Sequence, residues 1–234
     1  MAISDVLKSV CVAVGDSAPT AFYSAASSTI RKWQEMQMLA NQAALMIADA
    51  YDWQALRKIA EMTGNGTAEA FTLPSSYRRM LKKASVWSSR CRWDMTHIVN
   101  SDDWLSFEFT TIGPLYGAWT IYGEKFHVQP IMQTDEKVKF FFVSSQAVRA
   151  SNGDPKTAFS ADTDTFILDE NVLKLAIVYL WKQLKGEDFA AELADYEIAA
   201  DQAYDSDGGS KPILSGNLPV NWRGRTVWPG KVSG

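Results

Sequence analysis

The spacing of the apolar residues changes twice along this chain of 234 residues, from a helical repeat to an alternating one and back. The first helical stripe consists of Ile3, Leu7, Val10, Cys11 and Val14. Gly15 follows at the position where a left-handed residue commonly ends a helix. A second stripe predicts a longer helix that starts near Ser27 or Ser28 and ends near Trp53. Together the two helices predict an antiparallel hairpin for residues 1–53.

The middle of the chain is typical of β-structure. Two alternating runs, at 118–122 and 125–130, flank the pair Gly123-Glu124. We predict a hairpin with a type II′ turn here, because glycine accepts a positive φ at the first turn position. Other elements expected in this region are an edge segment at 71–74, a short helix at 100–107 capped by Ser101 or Asp102, and a strand at 137–144.

The helical repeat returns near the end of the chain. One stripe runs from Leu168 to Tyr179, with Asp169 and Glu170 at its start, where their charges offset the helix dipole. A second stripe runs from Phe189 to Tyr204 and stops at Asp207 and the glycines after it.

This order of blocks predicts an α+β fold. Helices from residues 1–53 and 162–209 are expected to form one antiparallel bundle. Residues 54–161 form a β-rich insertion domain in this prediction, and residues 210–234 form an extended C-terminal tail. The longest apolar run, around residues 175–181, is too short to cross a bilayer, so no membrane partner is expected.

Residues suited to catalysis or metal binding are scarce. His97 and His127 are the only histidines, and neither belongs to a metal-binding or nucleophile motif. Asp162-Thr163-Asp164 starts like a calcium loop, but Leu173 stands where the loop needs a glutamate. We therefore interpret these residues as caps ahead of the next helix. The sequence predicts a protein that is not an enzyme and holds no cofactor and no metal.

Charge is unevenly distributed. Residues 162–207 contain twelve acidic and three basic residues, whereas the tail from 211 to 234 contains four basic residues and no acidic one. A further basic stretch consists of Arg78, Arg79, Lys82, Lys83, Arg90 and Arg92, with Trp87 among them. It could follow a nucleic-acid backbone, or it could form the basic half of a subunit interface whose acidic half is 162–207. The net charge of −4 opposes DNA binding and favours the second interpretation.

Several short motifs occur in a specific order along residues 1–215. They are Tyr51–Leu56, Phe71–Arg78, Tyr122–Pro130, Phe159–Glu170, Trp181-Lys182, Gly186–Asp188 and Asp195–Glu197. In this order they resemble the head-to-tail adaptors of tailed bacteriophages, the tail tubular protein A-like neck (connector) proteins. The resemblance does not extend into the tail after Lys211.

The resemblance implies a structural virion protein of the neck, assembled in the host cytoplasm. Such a protein forms a homo-oligomeric ring of about twelve copies that docks under the portal protein. The ring extends the DNA ejection channel, through which genomic DNA passes without sequence-specific binding. It also provides an attachment platform for tail nozzle, tail tube or fibre proteins. The closest alternative is another neck or tail component, a stopper or tail-completion protein, and a DNA-binding protein is a further one.

Two interfaces follow from this interpretation. Adjacent subunits are expected to pack helical bundle against β-domain, through the basic stretch and through some of Trp33, Trp53, Trp87, Trp104 and Trp119. The tail is expected to contact the portal or a neighbouring protein through Trp222, Arg223, Arg225 and Trp228.

Overall fold

The computed structural model describes residues 1–82, 84–90, 92–109 and 115–208. Over these residues the chain is α+β, as predicted. The helices are α1 (Ile3–Ala13), α2 (Arg31–Ala50), α3 (Ser101–Phe109), α4 (Glu170–Lys185) and α5 (Ala190–Asp207). The strands are β1 (Arg57–Thr63), β2 (Ala70–Thr72), β3 (Tyr77–Met80), β4 (Trp87–Ser88), β5 (Thr96–His97), β6 (Ala118–Tyr122), β7 (Lys125–Gln129), β8 (Lys137–Ser144), β9 (Val148–Arg149), β10 (Pro155–Lys156) and β11 (Thr165–Phe166). None of the described helices is both long and apolar enough to cross a lipid bilayer.

The helix ends follow local capping chemistry. Gly15 has a φ of +75° just after α1, and Gly186 has a φ of +74° at the end of α4, both in the left-handed region that glycine tolerates. The Asp169 carboxylate begins α4 by accepting the backbone N–H of Asn171 at 2.8 Å. At the start of α3 the cap is Asn100, whose side-chain oxygen accepts the N–H of Asp102, so the predicted caps Ser101 and Asp102 were wrong.

Helix α4 is the centre of the helical region and packs against α1, α2 and α5. Six consecutive residues of α4, from Ala176 to Trp181, are buried, and six residues cover every side of a helix. Helices α1 and α2 therefore both bury their apolar stripes against α4. They meet each other only locally, for example where Cys11 Sγ lies 3.7 Å from Met36 Sδ. The predicted hairpin of two directly paired helices was wrong for this reason.

The β-region consists of two main sheets that face each other. One has the strand order β1-β8-β3, with β4 also paired to β8, and the other has the order β2-β7-β6-β5. Their buried sides meet where the rings of Phe126 and Phe140 stack 4.9 Å apart. Strand β2 lies at an edge and ends before Pro74, as predicted, and β8 spans the predicted residues. A third, smaller sheet has the order β10-β9-β11.

The hairpin of β6 and β7 is confirmed, but its predicted turn type was wrong. Both Gly123 and Glu124 have a positive φ, of +57° and +59°. Two left-handed residues define a type I′ turn, whose twist also suits a two-residue hairpin. Glu124 thus occupies a position that usually favours glycine or asparagine.

Asp162 and Asp164 do cap a helix, but it is α1 and not the helix that follows them. The carbonyl oxygens of Asp164 and Asp162 accept the N–H groups of Ile3 and Ser4, at 2.7 and 3.2 Å. These donors belong to the first turn of α1, which has no partners within the helix. A loop late in the chain therefore completes a helix at its beginning.

The Asp164 side chain organises this loop. It is 1% exposed and accepts the backbone N–H groups of Ser160 at 2.8 Å and Ala161 at 3.0 Å. Lys156 Nζ lies 2.6 Å from the same carboxylate. Burial raises the pKa of Asp164, but these three donors outweigh it and leave the pKa below its ordinary value of 3.8.

The buried apolar residues of the described chain form two separate hydrophobic cores. The core of the helical region draws on α1, α2, α4 and α5 and also on residues 143–168. The core of the β-region lies between the two main sheets and draws on residues 60–142. Residues 143–161 thus pack with the helices, although they follow the last long strand.

Candidate interaction surface

The histidines lie against aromatic rings on the β-region. His97 stacks on Trp119 with ring centroids 4.0 Å apart, and His127 stacks on Tyr122 at 3.7 Å. Burial lowers the pKa of both histidines, which favours the neutral ring. Over the described part of the chain, no group of three or more His, Cys, Asp or Glu side chains is arranged to hold a metal ion.

The first half of the basic stretch is held against the end of α2. Arg78 Nη2 lies 2.7 Å from an Asp49 carboxylate oxygen. Arg79 pairs with Asp52 and also donates to the carbonyl of Tyr51 at 2.8 Å. Burial raises the pKa of Asp52, but Arg79 and the backbone N–H of Lys82 outweigh it and lower the pKa. These two arginines therefore connect the helical region to the β-region within one chain.

The second half of the basic stretch is only partly available. Arg90 Nε lies 3.5 Å from the buried carboxylate of Glu136, which also accepts the Ser88 hydroxyl at 2.8 Å. Lys82 and Arg92 are exposed, whereas Lys83 lies outside the described residues. The sequence did not reveal that Arg78, Arg79 and Arg90 have carboxylate partners in the same chain.

Most tryptophans expected at a subunit interface are instead buried inside the subunit. Trp33, Trp53, Trp104 and Trp119 are each at most 8% exposed. These four side chains are therefore covered by their own chain and are not available to a neighbouring subunit. Trp87 is 48% exposed and remains a candidate.

A surface cleft of about 610 Å³ lies beside Trp87. Its lining includes Leu81, Phe141 and Tyr204. Phe141 belongs to β8 and Tyr204 to the last turn of α5, so the cleft lies between these two elements. Tyr204 is held there by stacking on Tyr51 with ring centroids 4.4 Å apart. The cleft consequently lies where the helical and β-regions meet.

The outer side of the β1–β8 pair carries an apolar row that the sequence analysis missed. Ile59 and Phe141 are register partners and are 60% and 51% exposed. Register partners project to the same side of an antiparallel sheet, so the two side chains are neighbours. Trp87 is the register partner of Lys139 on the same outer side. The sequence from Lys137 to Ser144 could have predicted this row. Phe141 follows Lys137 and Lys139 at alternate positions, so it lies on the same, solvent-facing side of the strand.

Charges surround this row. Lys137 and Lys139 both bind the Glu61 carboxylate, each at 2.6 Å. Their hydrogen bonds lower the pKa of Glu61 to about 2. Two ammonium groups share one carboxylate, so a net positive charge remains. We call Ile59, Glu61, Trp87, Lys137, Lys139 and Phe141 the sheet face.

Helix α5 presents the opposite charge. It contains six carboxylates and no basic residue. Some are used within the chain, since Asp201 accepts the Tyr51 hydroxyl and raises the pKa of that tyrosine to about 12. Others are exposed, among them Asp195 and Glu197, which lie beside Ile198, and Ile198 is 58% exposed. We call Asp195, Glu197 and Ile198 the α5 face.

The predicted portal contact lies outside the described residues, since Trp222, Arg223, Arg225 and Trp228 all follow residue 208. The chain matches no protein-family model and no curated protein sequence. Its role must therefore be inferred from the order of its motifs and from the surfaces described above.

Proposed function

We propose that this chain is a ring-forming head-to-tail adaptor of a tailed bacteriophage, which docks under the portal and carries the tail. The order of its motifs supports this role. The observation that carries the proposal from the structure is the sheet face, an exposed apolar row with a charged surround. Such a composition is typical of a surface that another protein covers.

The fold supports the same role. Helix α4 packs against α1, α2 and α5. We propose that these helices form a single antiparallel bundle into which the β-region is inserted. Arg78 and Arg79 tie the two regions together, which suits a subunit that must transmit load between a head and a tail.

Docking onto heads lacking this protein tests the proposal. Heads would be purified from an infection in which the gene for this chain is disrupted, then mixed with the purified full-length protein. We expect electron microscopy to show a ring under the portal vertex and restored tail attachment. A protein that neither binds these heads nor restores tails would refute the role.

The same assay tests the tail. We propose that Trp222, Arg223, Arg225 and Trp228 anchor the ring to the portal, because aromatic and arginine anchors contribute most where they become fully buried. Trp222→Ala with Trp228→Ala should lower head binding at least tenfold. The matched control Asn217→Ala in the same tail should leave head binding unchanged.

Two alternatives make different predictions. A stopper or tail-completion protein would form a ring of different stoichiometry, so the native mass of the assembled ring separates it from a portal-side adaptor of about twelve copies. A DNA-binding protein would require the exposed Lys82 and Arg92 to contact phosphates. Lys82→Ala with Arg92→Ala would then weaken DNA retention and flatten its salt dependence.

A further inference from the structure

Within the described residues, the sheet face and the α5 face each combine exposed apolar surface with a net charge, which is positive on the sheet face and negative on the α5 face. The sheet face has Ile59 and Phe141 at its centre and a net positive charge from Lys137 and Lys139. The α5 face has Ile198 with Asp195 about one turn before it and Glu197 directly before it in the sequence, and all three are exposed. The two surfaces are therefore complementary in both charge and apolar content.

We propose that the sheet face of one copy binds the α5 face of the next copy. In this contact Ile198 packs on the row of Ile59 and Phe141, and the carboxylates approach the lysines. The contact joins two different surfaces, so it is heterologous and each copy retains one free surface of each kind. Repetition of such a contact gives a ring when its rotation closes and an open filament when it does not, so the ring form of this inference rests on the proposed adaptor function.

A second copy fits the sheet face better than nucleic acid does. Lys137 and Lys139 already share the Glu61 carboxylate, so these three groups leave little net positive charge for a phosphate backbone. A second copy also fits better than the chain's own tail. The tail is basic, with four cations and no acid, and would meet a surface of the same sign.

The contact changes how the basic stretch contributes to assembly. Arg78, Arg79 and Arg90 are occupied within the subunit, so the sequence-based pairing of these arginines with the acidic segment of a neighbour is replaced. Trp87 stays at the border of the contact, next to Lys139 in register. The lysines of β8, and not the arginines of the basic stretch, supply the positive charge.

Mixing two variants tests the inference. Phe141→Asp disables the sheet face, and Ile198→Asp disables the α5 face. Each variant alone should self-associate at least tenfold more weakly than the wild type. An equimolar mixture should form dimers that do not grow, because the intact α5 face of one variant meets the intact sheet face of the other. Sedimentation velocity and native mass at up to about 1 mM, which detects weak contacts, provide the readout.

Controls address folding and location. Phe141→Thr keeps a strand-favouring residue and should weaken association as Phe141→Asp does, with an unchanged circular dichroism spectrum. Met38→Asp changes a side chain that is 51% exposed on α2, a helix that belongs to neither face, and should leave association unchanged.

Several results would overturn the inference. Variants that assemble like the wild type, or a mixture that stays monomeric, would exclude the contact, as would a wild-type protein that remains monomeric at every concentration. Loss of self-association in Trp222→Ala with Trp228→Ala would make the tail the occupant of the sheet face. Loss of DNA retention in Phe141→Asp without loss of assembly would make it a nucleic-acid surface. Docking onto portal-bearing heads is measured separately, so the adaptor role can survive each of these outcomes.

Discussion

Replacement of Asp164 should destabilise the whole helical region, although the residue lies in a loop. Asp164→Ala removes one carboxylate that three donors share: Lys156 and the backbone N–H groups of Ser160 and Ala161. Hydrogen bonds to a charged group contribute about 1.5 to 3 kcal/mol each, and broken buried pairs cost about 3 to 5 kcal/mol. Because Lys156 is still partly in contact with water, we expect a loss of about 3 kcal/mol in the free energy of unfolding.

Urea unfolding followed by circular dichroism and tryptophan fluorescence measures this loss. Asp164→Asn keeps an acceptor for the backbone amides but no charge, so its stability should fall between the wild type and Asp164→Ala. Asp154→Ala is the matched control, because Asp154 is an exposed loop residue whose carboxylate binds only the neighbouring Asn152 in the described structure. It should change stability by less than about 0.5 kcal/mol.

The pH dependence has a defined sign. The pKa of Asp164 is lowered in the folded state, so its stabilising contribution is present above the ordinary value of 3.8 and disappears as the pH falls through the lower folded value. The difference between the wild type and Asp164→Asn should therefore be constant near neutral pH and shrink only in strong acid. If Asp164→Ala unfolds within about 0.5 kcal/mol of the wild type, the loop does not support the helical region as described.

Three further predictions concern single side chains. Arg79→Ala should cost about 1 to 3 kcal/mol, because the half-buried Asp52 loses its ion-pair partner and keeps only the backbone N–H of Lys82, whereas Arg92→Ala at an exposed position should cost less than about 0.5 kcal/mol in the same urea titration. Gly123→Ala should cost about 1 kcal/mol from its positive φ alone, and Gly117→Ala should cost more, since its new methyl group would lie 3.0 Å from the Gln129 carbonyl oxygen; thermal unfolding ranks the two. Tyr51→Phe should lower stability below pH 10, and this difference should vanish as the pH rises through about 12, where Tyr51 loses its proton in the folded protein; urea midpoints across this range would show it.

Elements that depend on neighbouring residues were predictable from the sequence. Repeats and turn chemistry within a few residues predict the end of α1 before Gly15, the hairpin around Gly123 and the bounds of β8. The turn type was missed because the sequence shows that glycine accepts a positive φ, but it does not show that Glu124 also adopts one.

Features that depend on distant residues were not predictable. The capping of Ile3 by Asp164 joins residues more than 150 positions apart, and the pair of Arg79 with Asp52 depends on how β3 approaches α2. The sheet face requires the register of Ile59 with Phe141, which two separate alternating patterns do not specify. The candidate surface therefore changed from a run of cations in sequence to an apolar row created by strand pairing.

The central position of α4 also determines when the protein can fold during synthesis. Helices α1 and α2 leave the ribosome well before α4, the helix against which they pack, which ends at Lys185. The strands of the β-region emerge before α4 and have their own core. The β-region can therefore fold while α1 and α2 still expose their apolar stripes. If a ribosome is paused before it has synthesised α4, the nascent chain should resist protease in the β-region and be cleaved in α1 and α2.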